Sequence, residues 1–246
     1  MKNRLDVILA GKGLAASRTA AQALIKEGSV SVNGTCITRP SELFDDETDH
    51  FSVDSGSRLL KYAGRGGLKL ETAINAFGIE LNGLICLDIG ASTGGFTDCM
   101  LQNGASKVYA VDVGKGQLAE RLLADSRVIS LEETDIRKAG KTEIPETVDF
   151  ISIDVSFISL KLILPEIKRF AADNAHCAAL IKPQFEVGRK KTGKSGVVRE
   201  PKLHKAVVED ICAFAEGLGF RDIRTVPSAI DGGDGNKEFL MYFKVF

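Results

Sequence analysis

Apolar residues recur at helical spacing at Leu5, Ile8 and Leu9, and Gly11 and Gly13 end that run. Ser17 suits the N-cap of a second helix with Ala20, Ala21, Leu24 and Ile25 on its inner face, and Gly28 closes it. Val30 and Val32 alternate with polar positions, Asn33-Gly34 is a hairpin turn signal, and Cys36-Ile37 starts the return strand. Phe51 and Val53 form a further short strand. From residue 80 the pattern becomes strand, turn, helix. Strands are predicted at 85–89, 107–111, 128–131, 149–154, 178–182, 221–226 and 238–245, with helices at 95–102, 117–123, 160–170 and 202–217. This alternation predicts an α/β, doubly wound, Rossmann-like fold. Its sheet has seven strands, mostly parallel. Only a Gly/Asp-rich turn at 231–236 separates the last two strands, so they form a hairpin and the last runs antiparallel. The organisation expected is a small α+β domain at 1–57, a linker at 58–66 and the α/β domain at 67–246.

At 246 residues, 44% hydrophobic and 26% charged, the chain is neither a disordered tail, a collagen nor a coiled-coil rod. The net charge of −1 argues against nucleic acid until it is resolved by segment. Residues 1–40 carry +4, 41–57 carry −6, 58–69 carry +4 and 182–205 carry +6. Such runs are usually solvated faces, but three basic blocks point to a polyanionic partner. No apolar stretch is long enough to span a membrane and the start does not read as a secretory signal, so the expected location is cytoplasmic. Five scattered cysteines without a C-x-x-C, and three separated histidines, imply neither a metal site nor a disulfide framework.

The segment Arg4-Leu5-Asp6, Gly13-Leu14, Ser17-Arg18, Ala21, Leu24-Ile25, Gly28, Val30-x-Val32-Asn33-Gly34 and Pro40 resembles the S-four-type RNA-binding domain. The resemblance implies that Arg4, Arg18 and Lys26 face RNA, positioning phosphates rather than reading bases. The competing reading for Arg4 is an ion pair with Asp6 or Glu27.

The first strand of the larger domain ends in Leu87-Asp88-Ile89-Gly90-Ala91-Ser92-Thr93-Gly94-Gly95-Phe96. Glycines there let backbone approach a ligand, but the spacing is not the dinucleotide G-x-G-x-x-G, and Asp88 suits a cationic ligand better than a phosphate. Asp112 ends the next strand, where a carboxylate accepts from ribose hydroxyls, and Asp135 follows the third, within reach of an adenine amino group. Turn capping is the plainer role for Asp88 and Asp112. The combination favours S-adenosylmethionine, held by Asp88, Gly90, Ser92, Thr93, Gly94, Gly95, Phe96, Asp112, Asp135 and Asp154.

Four acid–base candidates follow in the order Lys69, Asp154, Lys182, Glu238, three of them at strand ends. With Arg65-Gly66-Gly67-x-Lys69-Leu70, Ile153-Asp154-Val155-Ser156-Phe157, Lys182-Pro183-Gln184-Phe185-Glu186 and Gly235-Asn236-x-Glu238, they resemble the FtsJ-like ribose 2′-O-methyltransferases. Joined to the N-terminal segment, the whole chain resembles the TlyA (haemolysin-A-like) family, which implies a cytidine ribose in ribosomal RNA, or ribosomal particles, as substrate. Departures are small: Ala63-Gly64 stands for the usual Val-Ser, and Ala229 and Gly233 stand where Pro is common. A ribose hydroxyl attacks a methyl group only if a base takes its proton, and free lysine is protonated at neutrality. Lys182 is the expected base, with Lys69 supplying a like charge that favours its neutral form and Asp154 and Glu238 orienting lysines and substrate.

Residues 188–195 match the P-loop pattern, but no strand precedes them directly and no helix opens at the lysine. They read better as a mobile basic loop over RNA, with Arg65, Arg189, Lys190 and Lys191 as further RNA contacts. Base methylation lacks the Pro-Pro-aromatic run after Asp154 or a well-placed cysteine. A membrane-active cytolysin lacks a basic amphipathic helix with aromatic anchors. An RNA-binding protein with an inactive enzyme domain sits poorly with an intact Lys–Asp–Lys–Glu set.

Overall fold

A computed structural model describes residues 2–188, 196–232 and 235–246. The chain divides into two compact units, residues 1–65 and 66–246.

The first unit runs β1 (Lys2–Arg4), α1 (Leu5–Gly11), α2 (Arg18–Glu27), β2 (Val30–Val32), β3 (Thr35–Cys36), β4 (Leu43–Asp45) and β5 (Phe51–Val53). Ser17 caps α2 as expected, its side chain accepting from the Ala20 amide, and Gly28 ends the helix at φ 83°. Asn33 and Gly34, both at positive φ, turn β2 into β3, and β5 pairs on the other side of β2. Leu5, Leu9, Ala21, Leu24, Ile25, Val30 and Val32 form the core. The β1–β4 pair, Lys2 opposite Asp45 and Arg4 opposite Leu43, has no local sequence signal and was not expected. The expected linker contains a short 3-10 helix, Arg58–Leu60, and Leu59 packs on the core of this unit.

The second unit adds α3 (Gly67–Phe77), β6 (Ile85–Ile89), α4 (Gly95–Gln102), β7 (Lys107–Val111), α5 (Glu120–Leu123), β8 (Val128–Leu131), β9 (Val148–Ile153), β10 (Ala171–Ile181), α6 (Pro183–Glu186), α7 (Pro201–Gly217), β11 (Arg221–Pro227) and β12 (Phe239–Lys244). The strands form one seven-stranded sheet in the order β11-β12-β10-β9-β6-β7-β8. All neighbours from β10 to β8 are parallel, and β12 lies antiparallel between β10 and β11. Its core gathers residues such as Leu87, Ile151, Phe170, Ile181, Ile211 and Phe243.

Three sequence expectations are corrected. The helix expected at 160–170 is two 3-10 pieces, Leu160–Leu162 and Leu164–Arg169, because Pro165 has no amide to continue an α-helical ladder. The helix expected from 117 begins at Glu120, because the Glu132 carboxylate takes the amides of Gly116, Gln117 and Leu118. β10 begins at Ala171 rather than 178, its polar early residues lying across a register shift between Ala171 and His176. Among the described residues no helix is long and apolar enough to cross a membrane.

Candidate active site

Strand order reverses between β6 and β9: β7 and β8 extend the sheet to one side of β6, and β9 and β10 to the other. Loops at the carboxyl ends of such strands part and leave a crevice. A cavity of about 450 Å³ lies there, lined by Gly90 and Ser92 after β6, Asp112 and Val113 after β7, Thr134 to Arg137 after β8, and Asp154 to Ile158 after β9. Its floor is apolar, with Ile89, Val111, Ile136 and Ile163. Gly90 holds φ 87°, and a Cβ there would lie 2.5 Å from the Asp154 carbonyl oxygen. Only glycine lets the two loops approach so closely.

The carboxylates are already ordered. Asp112 accepts from the Ser92 amide at 2.8 Å and from the Gly114 amide at 2.7 Å, so it combines the expected turn capping with a place on the cavity wall. Asp135 is gripped by the Arg137 guanidinium, which pushes its carboxyl down to about 2. Of the residues expected to hold the cofactor, Gly90, Ser92, Asp112, Asp135 and Asp154 line the cavity, and Asp88, Thr93, Gly94, Gly95 and Phe96 do not. Asp88 is fully buried and accepts from the Thr97 hydroxyl at 2.6 Å and the Ser152 hydroxyl at 2.9 Å. Register pairs it with Ser152 on β9, so it ties the end of β6 to its neighbours. Burial among neutral groups pushes its carboxyl up to about 6. Gly94 opens α4 at φ 92° and its missing Cβ makes room for Leu118 and Leu122, while Phe96 is buried.

Lys69, Asp154, Lys182 and Glu238 form two ion pairs. Lys69, in the first turn of α3, donates to Glu238 Oε2 at 2.6 Å, and both are buried. Glu238 directly precedes β12, and the pairing of Ile181 with Phe239 brings it to the sheet end where Lys182 follows β10. Lys182 Nζ lies 2.5 Å from Asp154 Oδ1 and donates to Ser156 Oγ at 3.0 Å. The carboxylate contact is a short ion pair set off the axis of an ideal hydrogen bond. Glu238 matches the charge of Lys69, so Lys69 does not act on Lys182 as the bare cation expected. Buried charges of this kind persist only when paired.

Three further residues escaped the sequence reading. Ser156 is bonded to Lys182. Glu186 accepts from the Ser159 hydroxyl and the Leu160 amide, tying α6 to the loop after β9. Gln184 donates to Glu238 Oε1 at 3.3 Å. Each stands inside a motif already singled out, but only the fold gives its partner. Phe157 is 91% exposed at φ 64° and meets Phe185 with ring centroids 5.1 Å apart. Burial pushes the Cys86 and Cys177 thiols up, which removes them as nucleophiles.

In the first unit, Asp6 has no exposed surface and accepts from Arg4, Arg18 and Gln22. Arg4 therefore makes the ion pair weighed for it, with Asp6 rather than Glu27, yet its side chain stays 41% exposed and that of Arg18 56%. Lys26 is exposed and Arg65 half-buried. Arg189, Lys190 and Lys191, the P-loop-like run and Gly233 lie outside the described residues.

The FtsJ-like methyltransferase family profile matches residues 62–245, and the S4 domain profile matches residues 3–49. The chain is 39% identical to the 16S/23S rRNA (cytidine-2′-O)-methyltransferase TlyA of Mycobacterium tuberculosis, over 98% of this chain and 89% of that protein. It is 39% identical to Hemolysin A of Brachyspira hyodysenteriae, over 98% and 99% respectively. A solved structure from Streptococcus thermophilus, described as a hemolysin candidate, is 44% identical with a TM-score of 0.78, covering 99% of this chain and 88% of that one.

Proposed function

We propose, for a chain that belongs to the FtsJ-like methyltransferase family and carries an S4 domain ahead of it, that it transfers a methyl group from S-adenosylmethionine to the 2′-hydroxyl of a cytidine in ribosomal RNA. The observation that carries this reading is the Lys182–Asp154 pair, whose acid also lines the cavity, backed by the buried Lys69–Glu238 pair. The cytidine and the ribosomal RNA come from the names of relatives such as TlyA of M. tuberculosis. That substrate puts the work of the protein in the cytoplasm, on ribosomal RNA or on assembling particles.

The cavity residues fit S-adenosylmethionine. Its apolar floor suits an adenine face, Asp112 retains acceptor capacity for ribose hydroxyls, and Asp135 sits where an amino group needs an acceptor. When bound, the cofactor supplies a sulfonium methyl whose C–S bond breaks with its electron pair kept by sulfur. Asp154 spans both functions, lining the cavity with one side of its loop and drawing Lys182 toward it with its carboxylate. Lys182, as the amine, accepts the hydroxyl proton while the oxygen lone pair forms the new bond to carbon. Lys69 and Glu238 fix the substrate side of the site, and the exposed Phe157 ring offers a face to a nucleobase. In the first unit, Arg4, Arg18 and Lys26 contact phosphates, with Asp6 holding the two guanidiniums in register, and Arg65 adds a further contact.

Lys182→Ala is expected to lower methyl transfer to ribosomal subunits by about a thousandfold while S-adenosylmethionine still binds, within the range for loss of a general base. Transfer rates from labelled cofactor, calorimetry and mapping of ribose methylation check this. Near-full transfer by the variant, or a methyl group on a base, overturns the reading.

A further inference from the structure

The Lys182 ammonium has two oxygen neighbours of different kinds. Asp154 Oδ1 is close, at 2.5 Å, but lies off the axis of an ideal hydrogen bond. Ser156 Oγ is farther, at 3.0 Å, but receives an aligned hydrogen bond from Nζ. A carboxylate at short range fixes where the nitrogen sits and draws one N–H loosely toward it, because the charge attraction is nearly isotropic. A hydrogen bond fixes direction, since it weakens steeply off axis. Rotation about the last bond of a lysine side chain is otherwise cheap, so a base held by charge alone spreads its lone pair over a cone.

We propose that Ser156 is a positioning residue for the reaction: it accepts one Nζ–H and so aims the Lys182 lone pair at the ribose hydroxyl. The inference rests on the reading of Lys182 as the base. A neutral amine has two hydrogens and one lone pair. With one hydrogen on Ser156 and the other drawn to Asp154, the remaining tetrahedral direction carries the lone pair. Ser156 and Asp154 both line the cavity, so the two contacts that set this direction stand on its wall. The Phe185 ring, with Nζ 5.8 Å from its centroid, flanks the same nitrogen and offers it no competing acceptor in the ring plane. When the hydroxyl O–H bond breaks, its electron pair stays on the oxygen and the proton takes the lone-pair position, so neither existing contact has to be broken. The loop is built to hold Ser156 there: the next residue, Phe157, turns back at φ 64°, a conformation rare for a bulky side chain. Ser156 itself is exposed and contributes nothing to the core, so packing does not require it.

The test compares Ser156→Ala, Ser156→Thr and Lys182→Met in the full-length protein, with methyl transfer to ribosomal subunits and calorimetric binding of S-adenosylmethionine. Ser156→Ala is expected to lower kcat about tenfold, the cost of one orienting hydrogen bond, with KM for RNA and cofactor affinity within about twofold of the parent. Ser156→Thr, which keeps the hydroxyl, returns kcat to within about threefold. An unchanged kcat in Ser156→Ala, a loss confined to KM or cofactor affinity, or a threonine variant as slow as alanine overturns the assignment. Lys182→Met separates the two claims. If it is inactive with cofactor bound while Ser156→Ala is normal, only the serine assignment falls; if it is active, the base itself has been misread and the serine proposal falls with it.

Discussion

Asp6 in the first unit and Asp88 in the second are both carboxylates without exposed surface, and their partners differ in kind. Asp6 accepts from two guanidiniums and an amide, whereas Asp88 accepts from two hydroxyls. The Arg4 hydrogen bond holds the Asp6 carboxyl well below the ordinary carboxylate range, while burial drives Asp88 up to about 6. A buried acid remains a charge where cations reach it, and tends to neutrality where only dipoles do. The first arrangement holds arginines in place on a surface. The second braces a loop beneath a cavity and gives up its charge in mild acid, where the first does not. The Lys69–Glu238 pair is a third case, a buried acid matched by a buried cation.

The comparison is broken most severely at that third case. Lys69→Met leaves Glu238 buried beside the Gln184 amide alone, and is expected to cost about 3–5 kcal/mol of unit stability in urea melts. Next comes Asp88. Its folded pKa lies above its ordinary value, so between about pH 4 and pH 6 the folded state binds more protons than the unfolded one. Stability from this group therefore falls as pH rises through that window, by roughly 3 kcal/mol if the full shift is realised. Asp88→Asn should remove this slope, which urea melts at pH 5 and pH 7 will reveal. Asp6 runs the other way: its contribution is complete above the ordinary carboxylate pKa and is lost only in strong acid. Asp6→Asn is expected to cost about 2 kcal/mol and to weaken RNA retention on filters by freeing Arg4 and Arg18. The smallest effect is reserved for a neutral contact in the same unit. Ser17→Ala removes the α2 cap and should cost about 1 kcal/mol, with RNA affinity unchanged.

What the sequence disclosed follows the range of each interaction. The Ser17 cap, the Gly28 stop and the Asn33-Gly34 turn depend on a few neighbouring residues, and they form as expected. The seven-strand α/β pattern was legible because most strands, such as Ile85–Ile89 and Val148–Ile153, carry their own apolar run. The β1–β4 pair was not, since three-residue strands such as Lys2–Arg4 form only where a distant partner meets them. At the site, spacing brought out Asp112, Asp154 and Lys182, which sit at strand ends whatever their neighbours do, and Lys69 in the first turn of α3. It did not show what Asp88 bonds to, because that depends on β9 lying beside β6 with Ser152 in register, a fact of topology rather than of spacing. Ser156 and Glu186 were visible as letters in motifs but not as partners.

One feature of the sheet bears on how the enzyme is made. β12 is the last of the seven strands in sequence order, yet it lies inside the sheet, between β10 and β11. Glu238 enters the site on its leading end, 169 residues after the lysine it pairs with. While the chain is being synthesised, residues for the cofactor cavity are all in place long before that strand emerges. An incomplete chain cannot pair Lys69, and the Lys–Asp–Lys–Glu set closes only when the final strand threads home.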